Sequence, residues 1–510
     1  MKAVFRVDAS KWIGTGHVMR CLSLAEELRK NSWEVIFACL PQDGDMRMMI
    51  AKRYFKVCSL AAPLNADGLT DRTNYKTWLL RSSQEDCADF IQKIKSADIV
   101  IVDHYAIGSE WHRVVKEAFA CKLIVIDDLV RSQDADLVID QTLNRSASDY
   151  SGGAKVLAGT NYALLASHFS GKHEIALDRV TRSRPLRIMI YMGGFDLPNV
   201  TSSVIKLLVK NVKAKYTVVL NQHSPHYIAV KGFCDEQKEV KHIDYSADMA
   251  SLMLDHDIAI GAAGTTSWER ACVGLPAITI PIAENQADNA QRLQENNATV
   301  LVKMESISTE LLPAVKILTK NWTKHCKANL AICDGRGVLR LILEIESLLM
   351  IKKEVNVELV DATIQDLELV YSWQRMPEMR KYALNPAIPS WIEHQSWMQT
   401  KLDRVQDYFF IVKERLSGRS CGFVRLDRQD KYDYLVSILI APEFHGKGFA
   451  LSALKVVDRI YTDFCIHAVV KQANVASQKL FLKAGYQKVS DEEFRRDPIR
   501  RDNHEITYKN

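Results

Sequence analysis

The strongest constraint on the fold of this 510-residue chain is a strand–helix alternation that occurs twice in tandem. Short apolar segments alternate with amphipathic ones in the first third, and the same alternation begins again after a polar stretch at 167–185. Repetition of strand, helix and strand predicts a parallel sheet covered on both faces. Two such units predict two doubly wound domains that face a cleft. The predicted strands are 3–7, 34–38, 99–103, 123–126 and 137–140, then 186–191, 215–220, 240–243, 258–260, 277–280 and 299–302.

The last part of the chain has a different pattern. It begins with a strand and a helix, continues with three strands close together in sequence, and ends with two further strand–helix units. This order predicts a mixed α+β domain. The predicted organisation is therefore α/β overall: two Rossmann-like domains at 1–166 and 185–350, joined by a polar linker, followed by an α+β domain at 355–510.

Composition excludes several classes of function. The formal net charge of +5 is mild and no basic block stands out, so no nucleic acid or anionic membrane partner is expected. No segment approaches the roughly 18–20 apolar residues that a membrane span needs, and the start lacks a signal-peptide pattern. The eleven cysteines are scattered without a Cys-x-x-Cys motif, which is typical of a reducing compartment and predicts no metal. We expect a cytoplasmic protein, and the sequence leaves its oligomeric state open.

The first candidate site follows the first predicted strand, where Gly14, Thr15, Gly16 and His17 precede a helix. Glycines at such a turn let backbone N–H groups approach a phosphate or sugar, which the helix N-terminus also attracts. The turn is not a dinucleotide fingerprint, because the third glycine is absent. His17 stands at the carboxyl edge of the strand, where doubly wound folds bind ligands, and histidine can act as a general base. The alternative is a loop histidine that caps the helix.

The second candidate site follows the predicted strand 258–260, where small and hydroxyl-bearing residues begin another helix. Hydroxyls at this position can cap the helix or donate to a diphosphate. Glu269 stands in the first turn, where a carboxylate can accept hydrogen bonds from ribose hydroxyls. The alternative is a tight turn in which Glu269 only offsets the helix dipole. The predicted ligand residues are Gly264, Thr265, Thr266, Ser267 and Glu269.

Two further turns at strand ends carry predicted sugar or nucleotide contacts. Gly193 and Gly194 follow a strand beside the linker, which places them near the cleft. Asn285 and Gln286 lie at a polar helix start after another strand.

Together these segments resemble the glycosyltransferase-B superfamily branch that includes the MurG-type transferases, and more narrowly the UDP-sugar hydrolases of pseudaminic acid biosynthesis. The resemblance covers nearly all of 1–345. It implies an inverting hydrolysis of UDP-2,4-diacetamido-2,4,6-trideoxy-β-L-altrose, in which water attacks the anomeric carbon. It also implies that His17 is catalytic and that Gly14, Thr15, Gly16 and Arg20 bind substrate. The segments that carry it are 6–8, 14–17 with Arg20, 157–165, 192–196, 263–270, 283–286 and 334–337.

The third candidate site follows the predicted strand 432–440. A glycine-rich loop there begins a helix, and consecutive N–H groups in such a loop form a pocket for the pyrophosphate of coenzyme A. A second helix begins after the strand 466–470 and ends at Gly485-Tyr486. The predicted acetyl-CoA contacts are Leu439, Ile440, His445, Gly446, Lys447, Gly448, Phe449, Ala450, Asn474 and Ser477.

Residues 355–510 resemble the GNAT superfamily, in its ribosomal-protein and nucleotide-aminosugar acetyltransferase branch. The opening segments Ser372–Arg375 and His394–Trp397 add to that resemblance. Two positions depart from the family pattern. His445 stands where the family usually has Arg or Gln, and Phe481 stands where many members have a tyrosine general acid. The acid and base of this domain are therefore unassigned, and a catalytically inactive domain is the alternative.

The two resemblances predict one bifunctional enzyme. In pseudaminic acid synthesis, acetylation of the 4-amino group of a UDP-sugar immediately precedes removal of UDP. The chain is therefore expected to acetylate UDP-4-amino-4,6-dideoxy-N-acetyl-altrosamine with acetyl-CoA and to release the free diacetamido sugar. Fusion would raise the local concentration of the second site. The alternatives are a UDP-sugar glycosyltransferase with an attached acetyltransferase, and a nucleotide-sugar sensor without turnover.

Overall fold

A computed structural model describes residues 1–63, 74–181, 185–351 and 356–499. The chain folds into two compact units, Met1–Leu349 and a second that begins at Met350. The first unit contains two parallel sheets with helices, and the second contains one mixed sheet. The predicted fold class is confirmed. Within the described ranges, no helix combines the length and apolar character that crossing a bilayer requires.

The first sheet has seven parallel strands in the order β3-β2-β1-β4-β5-β6-β7. Its strands are β1 Lys2–Val7, β2 Glu34–Cys39, β3 Lys56–Ser59, β4 Ile99–Asp103, β5 Lys122–Ile126, β6 Leu137–Asp140 and β7 Lys155–Ala158. Its helices are α1 Gly16–Lys30, α2 Arg47–Lys52, α3 Ser83–Ile94 and α4 Ser109–Phe119. Phe5 and Val4 belong to separate apolar clusters on opposite faces of β1. Because both faces are covered, the central strands β4 and β5 are largely apolar rather than alternating.

The second sheet has six parallel strands in the order β10-β9-β8-β11-β12-β13. Its strands are β8 Arg187–Tyr191, β9 Lys215–Val219, β10 Val240–Ile243, β11 Ile258–Gly261, β12 Ala277–Thr279 and β13 Thr299–Leu301. The helices of this part of the chain are α5 His168–Ala176, α6 Val200–Asn211, α7 Tyr227–Asp235, α8 Met249–Leu254, α9 Thr266–Cys272, α10 Ala287–Glu295, α11 Ile307–Lys320, α12 Trp322–Leu330 and α13 Gly337–Leu348.

Two helices, α5 and α13, follow the strands of one sheet in the chain and pack in the core of the other sheet. α5 occupies part of the stretch predicted to be a polar linker, and its Phe169 and Ala176 pack in the apolar core of the second sheet. The polar composition of this stretch predicted a linker, whereas the helix buries even a polar residue, His173. The His173 ring nitrogen bonds the Cys272 carbonyl at 2.8 Å. α13 runs the other way and packs Leu341 in the core of the first sheet. The domain division at residues 166 and 185 therefore stays a proposal. In this division the last helix, α13, packs in the core of the first domain.

The second unit holds a seven-stranded mixed sheet in the order β14-β15-β16-β17-β18-β20-β19. Its strands are β14 Val357–Asp361, β15 Tyr408–Glu414, β16 Ser420–Asp430, β17 Asp433–Ile440, β18 Cys465–Val469, β19 Gln487–Lys488 and β20 Glu493–Arg496. Its helices are α14 Leu367–Gln374, α15 Pro377–Arg380, α16 Trp391–Leu402, α17 Phe449–Ile460 and α18 Val475–Lys483.

β17 and β18 are parallel but remain paired over only three residues, from Asp433↔Cys465 to Leu435↔His467. Beyond these residues β17 continues to Ile440 and β18 to Val469, but the two strands no longer pair with each other, so they separate. Two parallel strands that separate expose backbone N–H and C=O groups, which must find other partners. The opening is therefore a place where an extended ligand can bind the backbone of β17.

Candidate functional site

The first part of the site lies at the carboxyl ends of β1 and β4. These strands are neighbours in the sheet although β2 and β3 separate them in sequence, and ligands of doubly wound folds bind at such a switch point. The turn after β1 leads to His17, which lies in the first turn of α1. β4 ends at Asp103, and His17 Nδ1 lies 2.5 Å from Asp103 Oδ1. The structure thereby pairs the predicted catalytic histidine with a buried carboxylate.

Arg20 completes this group from the next turn of α1. Its Nε and Nη2 donate to the two oxygens of Asp103, at 2.6 Å each. Burial alone would raise the pKa of Asp103, but Arg20 and His17 outweigh burial and hold that pKa well below its usual range. The ionised carboxylate can only accept hydrogen bonds, so Nδ1 of His17 carries a proton that it donates to Asp103. Arg20 was predicted to bind substrate, whereas here its guanidinium positions Asp103.

Aromatic rings surround His17. Its ring lies edge-on to Tyr105, with ring centroids 4.9 Å apart, and more distantly to Trp78 at 6.2 Å. Tyr75 packs against both of these rings at 5.0–5.1 Å. The Tyr105 hydroxyl donates to Asp128 at 2.6 Å, which fixes the ring. Aromatic rings of this kind limit water around the imidazole and offer apolar surface to a sugar.

A buried charge network holds the end of β1. Arg6 forms two hydrogen bonds with Asp86 of α3, at 3.0 and 2.8 Å, and one with Asp8 at 2.7 Å. Asp8 also accepts from the Leu40 backbone at 2.7 Å, which ties β1 to the end of β2. All three charged side chains are fully buried. Each member of this network is needed for stability, because removal of one partner would leave an uncompensated buried charge.

The glycine turns of the two sheets face each other. A Cβ atom on Gly194, in the turn after β8, would lie 3.1 Å from the Thr15 side chain. A Cβ atom on Gly16 would lie 3.4 Å from Thr265 Oγ1, in the loop after β11. β8 and β11 are themselves neighbours at the switch point of the second sheet. Three segments predicted separately from the sequence therefore meet, and the space near His17 is bounded by the second sheet's loops.

Glu269 is an ionisable group in the first turn of α9, which follows the second sheet's loop after β11. Burial raises its pKa to about 7, against the opposing charge of Arg270. It lies close enough to Tyr191 to add to the burial-driven rise in the pKa of that phenol. A half-buried carboxyl with a raised pKa gains hydrogen-bond donors when a polyhydroxyl ligand arrives.

Arg270 shapes the loop that carries the predicted phosphate residues. Its Nη2 donates to the Ala262 carbonyl at 2.9 Å and to Ser267 Oγ at 3.1 Å. A Cβ atom on Gly261 would lie 2.5 Å from Arg270 Nη1, so glycine is required at the end of β11. Thr265 precedes α9 without a side-chain capping bond, so its hydroxyl is not used to cap the helix.

The turn before α10 is built around Gln286. Its Oε1 accepts from the backbone of Ala263 at 3.3 Å and of Ile282 at 3.1 Å. Gln286 was predicted to bind substrate, and these contacts give it a structural part in joining the loops after β11 and β12. The backbone of Asn285 lies in the same turn, but its side chain lies outside the described part of the molecule.

The third site predicted from the sequence lies at the opening between β17 and β18. Leu439 and Ile440 end β17 on that opening, and His445 donates from Nε2 to the Ile440 carbonyl at 2.7 Å. His445 thus ties the loop to the strand end and leaves the glycine turn after it exposed. The departure from the family's usual Arg or Gln is compatible with an intact loop.

Two glycines give the loop its shape. Gly446 and Gly448 have φ angles of +78° and +82°, a region that L-residues with side chains rarely adopt. Lys447 between them is exposed and lies over the Phe444 ring at 5.2 Å. Phe449 and Ala450 begin α17 directly after the loop. Consecutive N–H groups before a helix are suited to a pyrophosphate.

The second predicted coenzyme-A segment begins α18. Asn474 Oδ1 accepts from the Ser477 backbone at 3.1 Å, which is a helix-capping contact. Phe481 is buried, with its ring centroid 5.1 Å from that of Tyr486 and 5.9 Å from that of Phe494. The position that carries tyrosine in many relatives is here part of an aromatic core.

Sequence reasoning did not single out Asp103 as a functional residue. A signal for it was present, since β4 reads Ile-Val-Ile-Val-Asp and an ionisable residue ends an otherwise apolar strand. Its importance depends on β4 lying beside β1, which strand prediction alone does not determine. Asp128 and the aromatic cluster were missed for the same reason.

Comparison with known proteins agrees with this architecture. Residues 190–330 match the glycosyltransferase family 28 C-terminal domain, and residues 356–487 match the acetyltransferase (GNAT) domain. An uncharacterised protein of Methanocaldococcus jannaschii is 26% identical over 96% of this chain and 97% of its own length. The UDP-2,4-diacetamido-2,4,6-trideoxy-β-L-altropyranose hydrolase of Campylobacter jejuni is 24% identical over 59% of this chain and its whole length.

Among solved structures, the crystal structure of the glycotransferase of kitacinnamycin covers 68% of this chain and 98% of its own, with a TM-score of 0.51 and 12% identity. This likeness concerns the fold alone. The predicted fusion is confirmed: a glycosyltransferase-B-like module, similar to a pseudaminic-acid-type UDP-sugar hydrolase, precedes a GNAT acetyltransferase domain. The chain is an enzyme with an acetyl-transfer domain, for which acetyl-CoA is the co-substrate.

Proposed function

We propose that this chain is a bifunctional enzyme of pseudaminic acid biosynthesis. Its GNAT domain acetylates a UDP-4-amino sugar, and its first unit hydrolyses the product, UDP-2,4-diacetamido-2,4,6-trideoxy-β-L-altrose, to the free sugar and UDP. The observation that carries the hydrolase part is the His17–Asp103 pair opposite the loop of Thr265 and Glu269.

In the proposed hydrolysis, a water molecule attacks the anomeric carbon and gives one proton to Nε2 of His17. The carbon–oxygen bond to UDP breaks, and the diphosphate leaves with the bonding electrons. Asp103 holds the tautomer that makes Nε2 basic and stabilises the imidazolium that forms. Attack on the face opposite to the leaving group inverts the anomeric carbon.

The second sheet would hold UDP. The loop after β11 lies before the N-terminus of α9, where backbone N–H groups favour a departing diphosphate. Glu269 would accept hydrogen bonds from the ribose hydroxyls. The turn at Gly193 and Gly194 would let the backbone approach the ligand. The turn also packs tightly against Thr15, since a Cβ atom at Gly194 would lie 3.1 Å from that side chain.

In the proposed acetyl transfer, the 4-amino nitrogen attacks the thioester carbonyl of acetyl-CoA. A C–N bond forms, the C–S bond breaks, and the coenzyme A thiol leaves. The opening between β17 and β18 would hold the pantetheine chain, and the loop with Gly446 and Gly448 would hold the pyrophosphate. The amine must lose one proton, which solvent can accept. The departing thiolate must gain one, which solvent must supply because Phe481 carries no ionisable group.

UDP release from the acetylated UDP-sugar, without any added alcohol, tests the hydrolase. We expect release by the wild type and a loss of about 10²–10⁴-fold in His17→Ala, the usual contribution of a general base. Acetyl-CoA consumption with the UDP-4-amino sugar should be equal in both proteins, which serves as the folding control.

A UDP-sugar glycosyltransferase is the second candidate, because residues 190–330 match a glycosyltransferase domain. UDP release that requires an acceptor alcohol would establish it and reject hydrolysis. Tight UDP-sugar binding with no release under either condition would indicate a sensor and reject both enzymes.

A further inference from the structure

Asp433, Cys465 and His467 bring three different metal-ligand atoms together on one face of the second unit's sheet. Asp433 pairs with Cys465 across β17 and β18, and His467 lies two residues further along β18, on the same face. One ligand atom from each residue lies within 4.8 Å of the other two. The cluster is at the paired end of the two strands, whereas the acetyl-CoA loop follows the far end of β17.

The contacts converge on one nitrogen. His467 Nε2 lies 3.0 Å from Asp433 Oδ2 and 3.4 Å from Cys465 Sγ. A ring nitrogen carries either one proton or one lone pair, so it cannot satisfy both neighbours at once. A proton relay would use the two ring nitrogens in series, as a nucleophile–histidine–carboxylate triad does. Three ligand atoms within 4.8 Å of one another are instead close enough to share one cation.

The distances suit a small tetrahedral ion. Ligands at the usual zinc distances from sulfur, nitrogen and oxygen stand about 3.4–3.6 Å apart when the geometry is tetrahedral. The nitrogen–sulfur distance already has that value, and the nitrogen–oxygen distance would lengthen by a few tenths of an ångström. All three residues are half-buried, so a fourth position stays open to water.

The ligand types favour a transition metal over Mg²⁺ or Ca²⁺, which prefer oxygen ligands alone. A thiolate and a carboxylate together neutralise a divalent cation. On binding, the metal would displace the proton of the Cys465 thiol. Arg495 stands opposite His467 on β20 and is the competing cation, because its side chain hydrogen-bonds the Cys465 thiol as well as pairing through Nε with Asp497 at 2.8 Å.

We propose that Asp433, Cys465 and His467 form a binding site for a zinc-class divalent transition metal on the acetyltransferase domain. This revises the expectation of no metal that the cysteine spacing suggested. The site does not rest on the proposed function, because it uses residues that the two reactions do not require.

Titration of the full chain with Co²⁺ under metal-free reducing conditions tests the site. We expect one Co²⁺ per chain with a thiolate-to-cobalt charge-transfer band, which Cys465→Ser removes. Asp433→Asn and His467→Gln should weaken binding by more than about tenfold, since even outer-sphere partners contribute that much. Arg495→Gln should bind at least as tightly as the wild type, because a repelling charge is gone.

Cys58→Ser is the matched control, because Cys58 is also a half-exposed free cysteine but lies in the first unit. It should keep the band. Circular dichroism of each variant separates loss of ligands from loss of fold. The proposal is overturned if the wild type shows no thiolate band, if Cys465→Ser keeps it, or if Cys58→Ser removes it.

Discussion

The two sites of this chain are built in opposite ways. In the first unit the proposed reactive group is a side chain, His17, held by the fully buried Asp103 and by Arg20. In the GNAT domain the recognisable groups are backbone atoms, presented by an exposed glycine loop and by a strand that loses its partner. Side-chain chemistry can therefore be assigned residue by residue in the first site. In the second site the proposed function depends on backbone conformation, and no residue is assigned as its general acid or general base.

Asp103→Asn is the sharpest way to break this comparison and has the largest expected effect. The amide removes the charge that stabilises the His17 imidazolium and can hold the wrong tautomer, so the turnover number for UDP release should fall about 10²–10⁴-fold. The KM for the UDP-sugar should change much less, because Asp103 acts through His17. Steady-state UDP release measures both constants.

Asp136→Asn is the control for that variant, since Asp136 is a carboxylate of the same sheet that bonds the Leu123 backbone at 2.9 Å. It should leave UDP release unchanged. Equal losses of kcat in the two variants would mean that Asp103 has only a structural role. Acetyl transfer should be unaffected in both.

Gly448→Ala tests the backbone site. An alanine at φ +82° is strained by about 1–2 kcal/mol, so the loop should shift and acetyl-CoA should bind about 5–30-fold more weakly. UDP release should not change. Gly418→Ala, at φ +68° in another exposed turn of the same domain, controls for strain alone and should leave the KM for acetyl-CoA unaltered. An unchanged KM in Gly448→Ala would contradict the assignment of the loop.

Glu269 gives a pH signature to UDP binding. Its pKa is about 7 in the free protein, and ribose hydroxyls donate more strongly to the ionised carboxylate than to the neutral acid. Binding below pH 7 should therefore release a proton, so the dissociation constant of UDP should rise about fivefold from pH 7 to pH 6. Calorimetry between pH 6 and pH 8 measures this. Glu269→Gln should remove the pH dependence, and a dependence that persists would assign it to another group.

Phe481→Tyr has the smallest expected effect. If the missing tyrosine were the limiting feature of the GNAT domain, restoring it would raise the rate of acetyl transfer. Because the Phe481 ring lies in an aromatic core with Tyr486 and Phe494, we expect the rate to stay within about twofold and the melting temperature to fall. A clear gain in rate would show that this position faces the reacting atoms.

Local patterns were enough to predict most of the strands. β4 and β6 have the predicted bounds, because a buried parallel strand is a short apolar run between polar residues. The edge strand β10 also has the predicted bounds, although Lys241 and His242 lie within it. β3 and β7 were missed, since each has only four residues and a lysine at its start. The short β19 and β20 were missed because their polar residues resemble a loop.

The sequence by itself determined the fold class, the fusion of two enzymes and the segments that line each site. The fold class depends on periodicity and on glycines at strand ends, which are local properties of the chain, and the fusion was inferred from the resemblance of its segments to two known families. Only the tertiary structure decided the partner of His17, the meeting of Gly16 with Thr265, and the cluster of Asp433, Cys465 and His467. Each depends on which strands become neighbours, and strand order is set by the packing of the whole sheet rather than by any one segment.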